Sequence, residues 1–369
     1  MAAGTTISGP SGPLTTPFPG GNNDFLEITT TGVVAGPVYG VFVTPGQTVG
    51  GNISNGGLID VDASDEVLAA GIANLFGTIE GDIVNTASGD IIVTDTITNG
   101  SAFVAGVISF EINDDGQAFL NDGLVDVEAI GNDDANLIVA GGAGVFGANF
   151  AGDYTAIIDN GGDINVTVIS NDPGGWSAGV GLGGIAGALG ENATAEVFND
   201  GDVNVDVNVG TANVLNDEGL GIGFGLGSFA LGETAVANID NTSNLTVDTD
   251  VIADDEAIAG SIGYAAVALG FGSNESASSL LDNSGTSTIS ATAESDNNSF
   301  AGALGGIQLV GAINQFGQAD GTINNSGATA VTATATSDDT NFGFPDAISG
   351  ASGYIQAVGG GYSATALID

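Results

Sequence analysis

The chain has 369 residues, 45 of them Asp or Glu and none Lys, Arg or His, for a formal net charge of −45 at pH 7. Lacking side-chain cations, it can form no ordinary salt bridge, phosphate clamp, Schiff base or imidazole catalyst, and it opposes nucleic acid and anionic membrane surfaces electrostatically. The hydrophobic share of 43% separates it from disordered acidic chains, and the absence of Cys removes disulfides and thiolate chemistry.

Residues 1–24 carry Pro10, Pro13, Pro17 and Pro19 among Gly, Ser and Thr, which reads as an extended arm. The start, Met1-Ala-Ala-Gly-Thr-Thr, has neither the charged nor the apolar region of a signal peptide. Residues 25–49 read as an irregular first coil or cap, and 50–369 as one repeat domain. No run of about 20 strongly apolar residues occurs, so no transmembrane helix is expected.

The repeat is marked by an apolar-x-Asn corner. Its asparagines are Asn55, Asn85, Asn121, Asn160, Asn199, Asn241, Asn283 and Asn325, spaced 30, 36, 39, 39, 42, 42 and 42 residues apart. Asn tolerates left-handed backbone and can hydrogen-bond to its equivalents in a stack. After each corner comes an alternating strand. In the copy around Asn160, Ile164, Val166 and Val168 share one face while Asp163, Asn165 and Thr167 share the other. A second turn and a long Gly/Ala-rich strand complete the unit. This pattern predicts an all-β fold, a parallel β-solenoid (β-helix) of about eight coils of ~40 residues with three strands each.

In the Gly/Ala-rich strands, such as 220–230, 258–269 and 301–313, both alternating faces are apolar or glycine. One face can meet the core; the other is expected to meet a neighbouring subunit. Ile262, Tyr264, Ile307 and Leu309 are the assembly residues this reading selects. At the C-terminal end, Leu367, Ile368 and Asp369 repeat the lead-in to an Asn corner, which predicts end-to-end joining of subunits.

The turn after the alternating strand is acidic in nearly every copy, with Asp65, Glu66, Asp133, Asp134, Asp172, Asp254, Asp255, Asp296, Asp338 and Asp339. Stacked, these carboxylates would form a like-charge column that Ca²⁺ or Mg²⁺ could relieve, or that stays a solvated edge with diffuse counterions. No EF-hand loop is present. The carboxylates repeat along the chain instead of converging, so a polysaccharide-cleaving enzyme is not expected. Thr332, Thr334 and Thr336 form a hydroxyl array of the ice-binding kind, but the equivalent Asp163 and Asn165 break it. Trp176, Tyr264, Tyr354 and Tyr362 read as packing residues rather than a sugar platform.

The copies Ile323-Asn-Asn-Ser-Gly-Ala-Thr-Ala-Val-Thr-Ala and Leu281-Asp-Asn-Ser-Gly-Thr-Ser-Thr-Ile-Ser-Ala resemble the Asn-Ser-Gly-Thr-Ile repeats of bacterial autotransporter passengers and haemagglutinin-like adhesins. The resemblance spans residues 50–369 and implies a right-handed parallel β-helix on the bacterial surface. The cation-free, Cys-free, Gly-rich composition also resembles, more loosely, the subunit of the tubular bacterial appendages called spinae. The expectation is therefore an extracellular structural protein whose subunits polymerise with one another, end to end and laterally, into a protease-resistant filament or tube attached to a cell surface or matrix. A monomeric adhesin stalk is the alternative.

Overall fold

The computed structural model describes residues 4–19, 23–171, 176–210, 216–271, 275–312, 318–337, 347–359 and 363–368. The chain is all-β, 80% strand, with no helix among the described residues. Every strand pairing is parallel, and almost all strands join one 26-stranded sheet. Parallel neighbours lie one sequence repeat apart. Asn85 sits opposite Asn55 and Asn121, and Asn199 opposite Asn160 and Asn241. Many later pairings are 42 residues apart, as between Asn192 and Thr234 or Asn244 and Thr286, while Leu220 pairs with Ile258 at 38 and Ser299 with Ala347 at 48.

The expected open β-solenoid of three separate strands per coil is corrected by the way this sheet closes. The main sheet is a closed eight-stranded parallel β-barrel with extra strands outside it. One closed circuit can be followed through the pairings. Leu124–Asn149 pairs with both Asp163–Asn171 and Trp176–Asn199. The first leads through Val203–Val209 to Asn244–Gly270, and the second through Asn216–Asn241 to the same strand. Of the acidic segments read as turns, Asp65-Glu66 and Asp296 lie between strands as expected, whereas Asp133-Asp134 and Asp254-Asp255 fall inside single long strands, the latter with register partners up to Ala253 and again from Glu256. Asn244–Gly270 runs 27 residues straight through Asp254 and Asp255, and Ala253 keeps partners on both sides, Asn216 and Ser295. No Pro stands in that stretch to remove a ladder donor, so the strand rounds the bend without ending.

The segment read as an arm is part of the sheet. Thr5–Ile7 pairs with Leu26–Ile28, Pro10–Ser11 with Val33–Gly36, and Leu14–Thr15 with Tyr39–Val43. Leu14 and Phe18 are buried against the core. These strands have a neighbour on one side only, where a proline's missing N–H is tolerated. Residues 25–49 are in regular register with the following repeat, as Leu26 opposite Ile53 and Val33 opposite Leu58 illustrate.

A single apolar core runs from Leu14 to Ile323. Its spine is the inward half of the alternating strands: Ile59, Ile91, Val125, Ile164, Val203 and Leu245 occupy one column and are fully buried. Alternation at period two supplies these residues, and β-branched side chains suit the pleated surface.

Candidate functional site

The corner asparagines form a continuous hydrogen-bonded ladder. Each Nδ2 donates to the Oδ1 of the next asparagine: Asn55 to Asn85 at 2.9 Å, Asn85 to Asn121 at 2.8 Å, Asn121 to Asn160 at 2.7 Å and Asn160 to Asn199 at 2.7 Å. It continues from Asn199 to Asn241 at 2.6 Å, Asn241 to Asn283 at 2.8 Å and Asn283 to Asn325 at 2.7 Å. The first seven are 0–1% exposed, so each amide satisfies a neighbour that water cannot reach. Two tyrosines brace the later part. The Tyr264 hydroxyl accepts from Asn241 Nδ2 at 2.9 Å and donates to Asn283 Oδ1 at 3.0 Å, and the Tyr354 hydroxyl donates to Asn325 Oδ1 at 3.2 Å.

A second column consists of glycine. Gly40, Gly71, Gly106, Gly142, Gly183, Gly225, Gly263, Gly305 and Gly353 occupy one register position in the Gly/Ala-rich strands. A Cβ on any of the first eight would lie 2.3–2.8 Å from the carbonyl oxygen of the next glycine. On Gly71, Gly106 and Gly142 it would also meet Ile91, Val125 and Ile164 at 2.2–2.3 Å. These glycines let the strand approach the core spine and turn there. Around Gly106, Val104 and Val107 point inward, three residues apart, so the alternation slips by one at the glycine.

On both sides of this bend the same strands present an apolar outer face. Ala70, Ala73, Ala105 and Ile108 form a cluster separate from the core, flanked by Tyr39, Phe42, Phe103 and Phe110. Further along, Phe146, Leu182 and Ile185 continue the face, as do Ile222, Ile262 and Leu304. Phe110 stacks on Phe146 at 5.0 Å and 14°. The rings lie over glycines: a Cβ at Gly187 would come within 2.6 Å of Phe146, and one at Gly227 within 2.8 Å of Phe229. Phe rings thus fill the hollows that glycine leaves. Ile222, Leu309 and Ile355 are 37%, 41% and 46% exposed.

The carboxylates find neutral donors. Thr98 donates its hydroxyl to Asp65 at 2.7 Å, Asn192 to Asp153 at 2.6 Å, Thr242 to Asp200 at 2.6 Å and Asn244 to Asp202 at 2.9 Å. Ser290 and Asn297 serve Asp248 and Asp255 in the same way, both at 2.6 Å. In each pair the donor comes 33–42 residues later, in the next repeat. The Thr98 side chain, then its amide, hold Asp65 below the usual carboxylate range. Elsewhere burial pushes carboxyls up. Asp126, Asp206 and Asp250 are raised mainly by desolvation, and Asp159 by desolvation and then by Asp200 and Asp122.

Among the described residues three acids are buried, Asp95, Glu111 and Glu275, the first two to 1% exposure or less. Glu111 is 1% exposed; its Oε1 accepts from Asn74 Nδ2 at 2.9 Å and from the Ile79 amide at 2.8 Å, while Oε2 has no partner. Burial pushes Glu111 up to about 8. A protonated carboxyl fits that environment. Asp95 faces inward in a column with Ala63 and Ala129, and burial pushes it up to about 6.

Of the acidic residues read as turn positions, Asp65, Glu66, Asp254, Asp255 and Asp296 have described side chains. Asp65 has a left-handed φ of 57° and bonds to Thr98, with Glu66 beside it. The Asp296 amide donates to the Asp254 carbonyl at 3.0 Å, which stacks those two, while Asp255 is taken up by Asn297. The side chains of Asp133 and Asp134, and all of Asp172, Asp338, Asp339 and Asp369, lie outside the described residues. Among the described residues no three carboxylates converge as metal ligands would.

Of the assembly residues, Ile262 and Ile307 are half-buried on the outer face, and Leu309, Leu367 and Ile368 are exposed. Tyr264 is a correction. It is fully buried, because the slip in alternation at Gly263 turns it inward to Asn241 and Asn283. The glycine column and the carboxylate–donor pairs were both missed. Each could have been found by aligning the repeats, since Gly recurs at one register position and Thr, Ser or Asn stands 42 residues after many acids.

No protein-family model matches this chain, and neither a curated protein nor a solved structure does.

Proposed function

We propose that this protein is an extracellular structural subunit that assembles with copies of itself into a polymer. The observation that carries the reading is the outer face of the Gly/Ala-rich strands, lined across neighbouring strands by apolar and small residues in a chain of net charge −45, with carboxylates such as Glu218 and Glu256 only at its margin. Soluble monomers rarely leave contiguous apolar surface larger than ~300–600 Å² uncovered. The buried asparagine ladder supports a structural role, since it ties successive corners together through seven amide contacts. The neutral donors on the carboxylates support a shell that stands in water without counter-charges of its own.

Sedimentation velocity and negative-stain microscopy across a concentration series test the role. The expected result is growth of large particles with concentration and their recovery in the pellet on ultracentrifugation. A single monomeric species at every concentration would overturn it.

A further inference from the structure

The outer face determines how copies meet. Nine neighbouring strands contribute to it, from Tyr39–Val43 to Ala347–Gly359. At ~4.8 Å between strands and ~3.3 Å per residue over roughly ten residues, it spans about 38 by 33 Å, or roughly 1,200 Å². A stable interface needs about 800 Å² on each partner, so one such face suffices. Its rings lie over glycines, so the face interdigitates as sheet-on-sheet packing requires.

Resting on the self-assembly reading above, we infer that two copies of this chain pack sheet on sheet through this face, about a two-fold axis, with Phe146, Ile185 and Phe229 near the centre. Charge selects the occupant. A partner with a polar or charged surface would leave its own groups unpaired against an uncharged sheet. A second copy presents the same uncharged sheet. The alternating strands carrying Asp126, Glu128, Asp206 and Asp248 lie across the core from it, because the column containing Gly142 and Gly183 faces their inward residues Ile164 and Val203. In the pair, the two acidic faces therefore point away from each other, and the large negative charge does not oppose contact. A two-fold arrangement needs only this one patch, used by both copies.

The test uses the full chain and two outer-face variants, Ile185→Asp and Leu309→Asp, with Thr167→Asp on the opposite, polar face as control. Circular dichroism is read first. Leu309 is 41% exposed, so its variant keeps the test alive if Ile185→Asp does not fold. Sedimentation equilibrium is expected to show that the outer-face variants weaken association by at least ~100-fold while Thr167→Asp leaves it unchanged. If folded outer-face variants associate as the parent does, the pairing is wrong, whereas continued growth of large particles would leave the polymer role standing. A parent chain that stops at dimers, lost in the outer-face variants, would support the pairing and overturn the polymer. A monomeric parent that floats with phosphatidylcholine vesicles, and loses flotation in the same variants, would assign the face to lipid and overturn the pairing.

Discussion

Replacing Glu111 with Gln should raise stability, and by an amount that grows with pH. Glu111 keeps a proton in the folded state up to about pH 8, while its unfolded counterpart releases it near 4.5. Between those values the folded state binds one more proton than the unfolded state. Stability from this group is therefore fully present below pH 4.5 and is lost as pH rises toward 8, at ~1.4 kcal/mol per pH unit. Across the whole window that is on the order of 5 kcal/mol, an upper figure because a buried group can relax or admit water. Glutamine keeps an oxygen for Asn74 Nδ2 and the Ile79 amide and cannot ionise. Urea unfolding of parent and variant, followed by circular dichroism at pH 5, 7 and 9, isolates the term. Other raised carboxyls, such as Asp206 and Asp250, drift in the same direction but cancel in the difference. The variant's advantage should be small at pH 5, larger at 7 and largest at 9. An advantage independent of pH would refute the assignment of a buried, protonated Glu111.

Breaking the ladder in the middle should cost more than one hydrogen bond. Asn160→Ala leaves the buried Asn199 Oδ1 without a partner and Asn121 Nδ2 with only the Asp163 carbonyl at 3.5 Å, so a loss of ~2–4 kcal/mol is expected in the same urea assay. Gly142→Ala should destabilise by roughly 1–3 kcal/mol, because the added methyl would sit 2.2 Å from Ile164 and 2.8 Å from the Gly183 carbonyl. Gly302→Ala, on the same kind of strand with nothing within 4 Å, should be near neutral. Equal effects at the two glycines would argue against close approach as the reason for the column.

The corner and the inward residues were legible because each follows a period. Asn spacing set the register between strands, and alternation in 163–170 correctly separated Ile164, Val166 and Val168 from the polar positions. What could not be read was where strands end. The acidic pair Asp254-Asp255 looks like a turn in isolation, yet the strand 244–270 continues through it, paired up to Ala253 and again from Glu256, and the sheet closes. Tyr264 was misplaced for a related reason. Strict alternation along 258–269 puts it outward, and only the slip at Gly263, where a Cβ would meet the Gly305 carbonyl at 2.5 Å, reverses its direction. The carboxylates were read against cations because like charges at strand spacing repel. Counting hydroxyls and amides one repeat later would have shown that neutral donors stand beside many of them.

These donors bear on why the chain contains no cation at all. If folding itself required the exclusion, a lysine placed among the acids should disturb the structure. Thr167 lies between Glu128 and Asp206 on adjoining strands. Thr167→Lys should gain roughly 0.2–1 kcal/mol per exposed pair and lose less than about 1 kcal/mol of strand preference, leaving stability equal or slightly higher. The gain should vanish in 1 M salt, where the Debye length shrinks to ~3 Å. The variant also creates the only trypsin site in the chain, so its cleavage rate reports how often that strand opens. A stable but cleavable Thr167→Lys would place the reason for excluding Lys and Arg in the exposure of the assembled protein to proteases, not in its folding. A loss of more than about 2 kcal/mol at low salt would return the reason to the fold, because surface substitutions without a packing or polar conflict rarely cost so much.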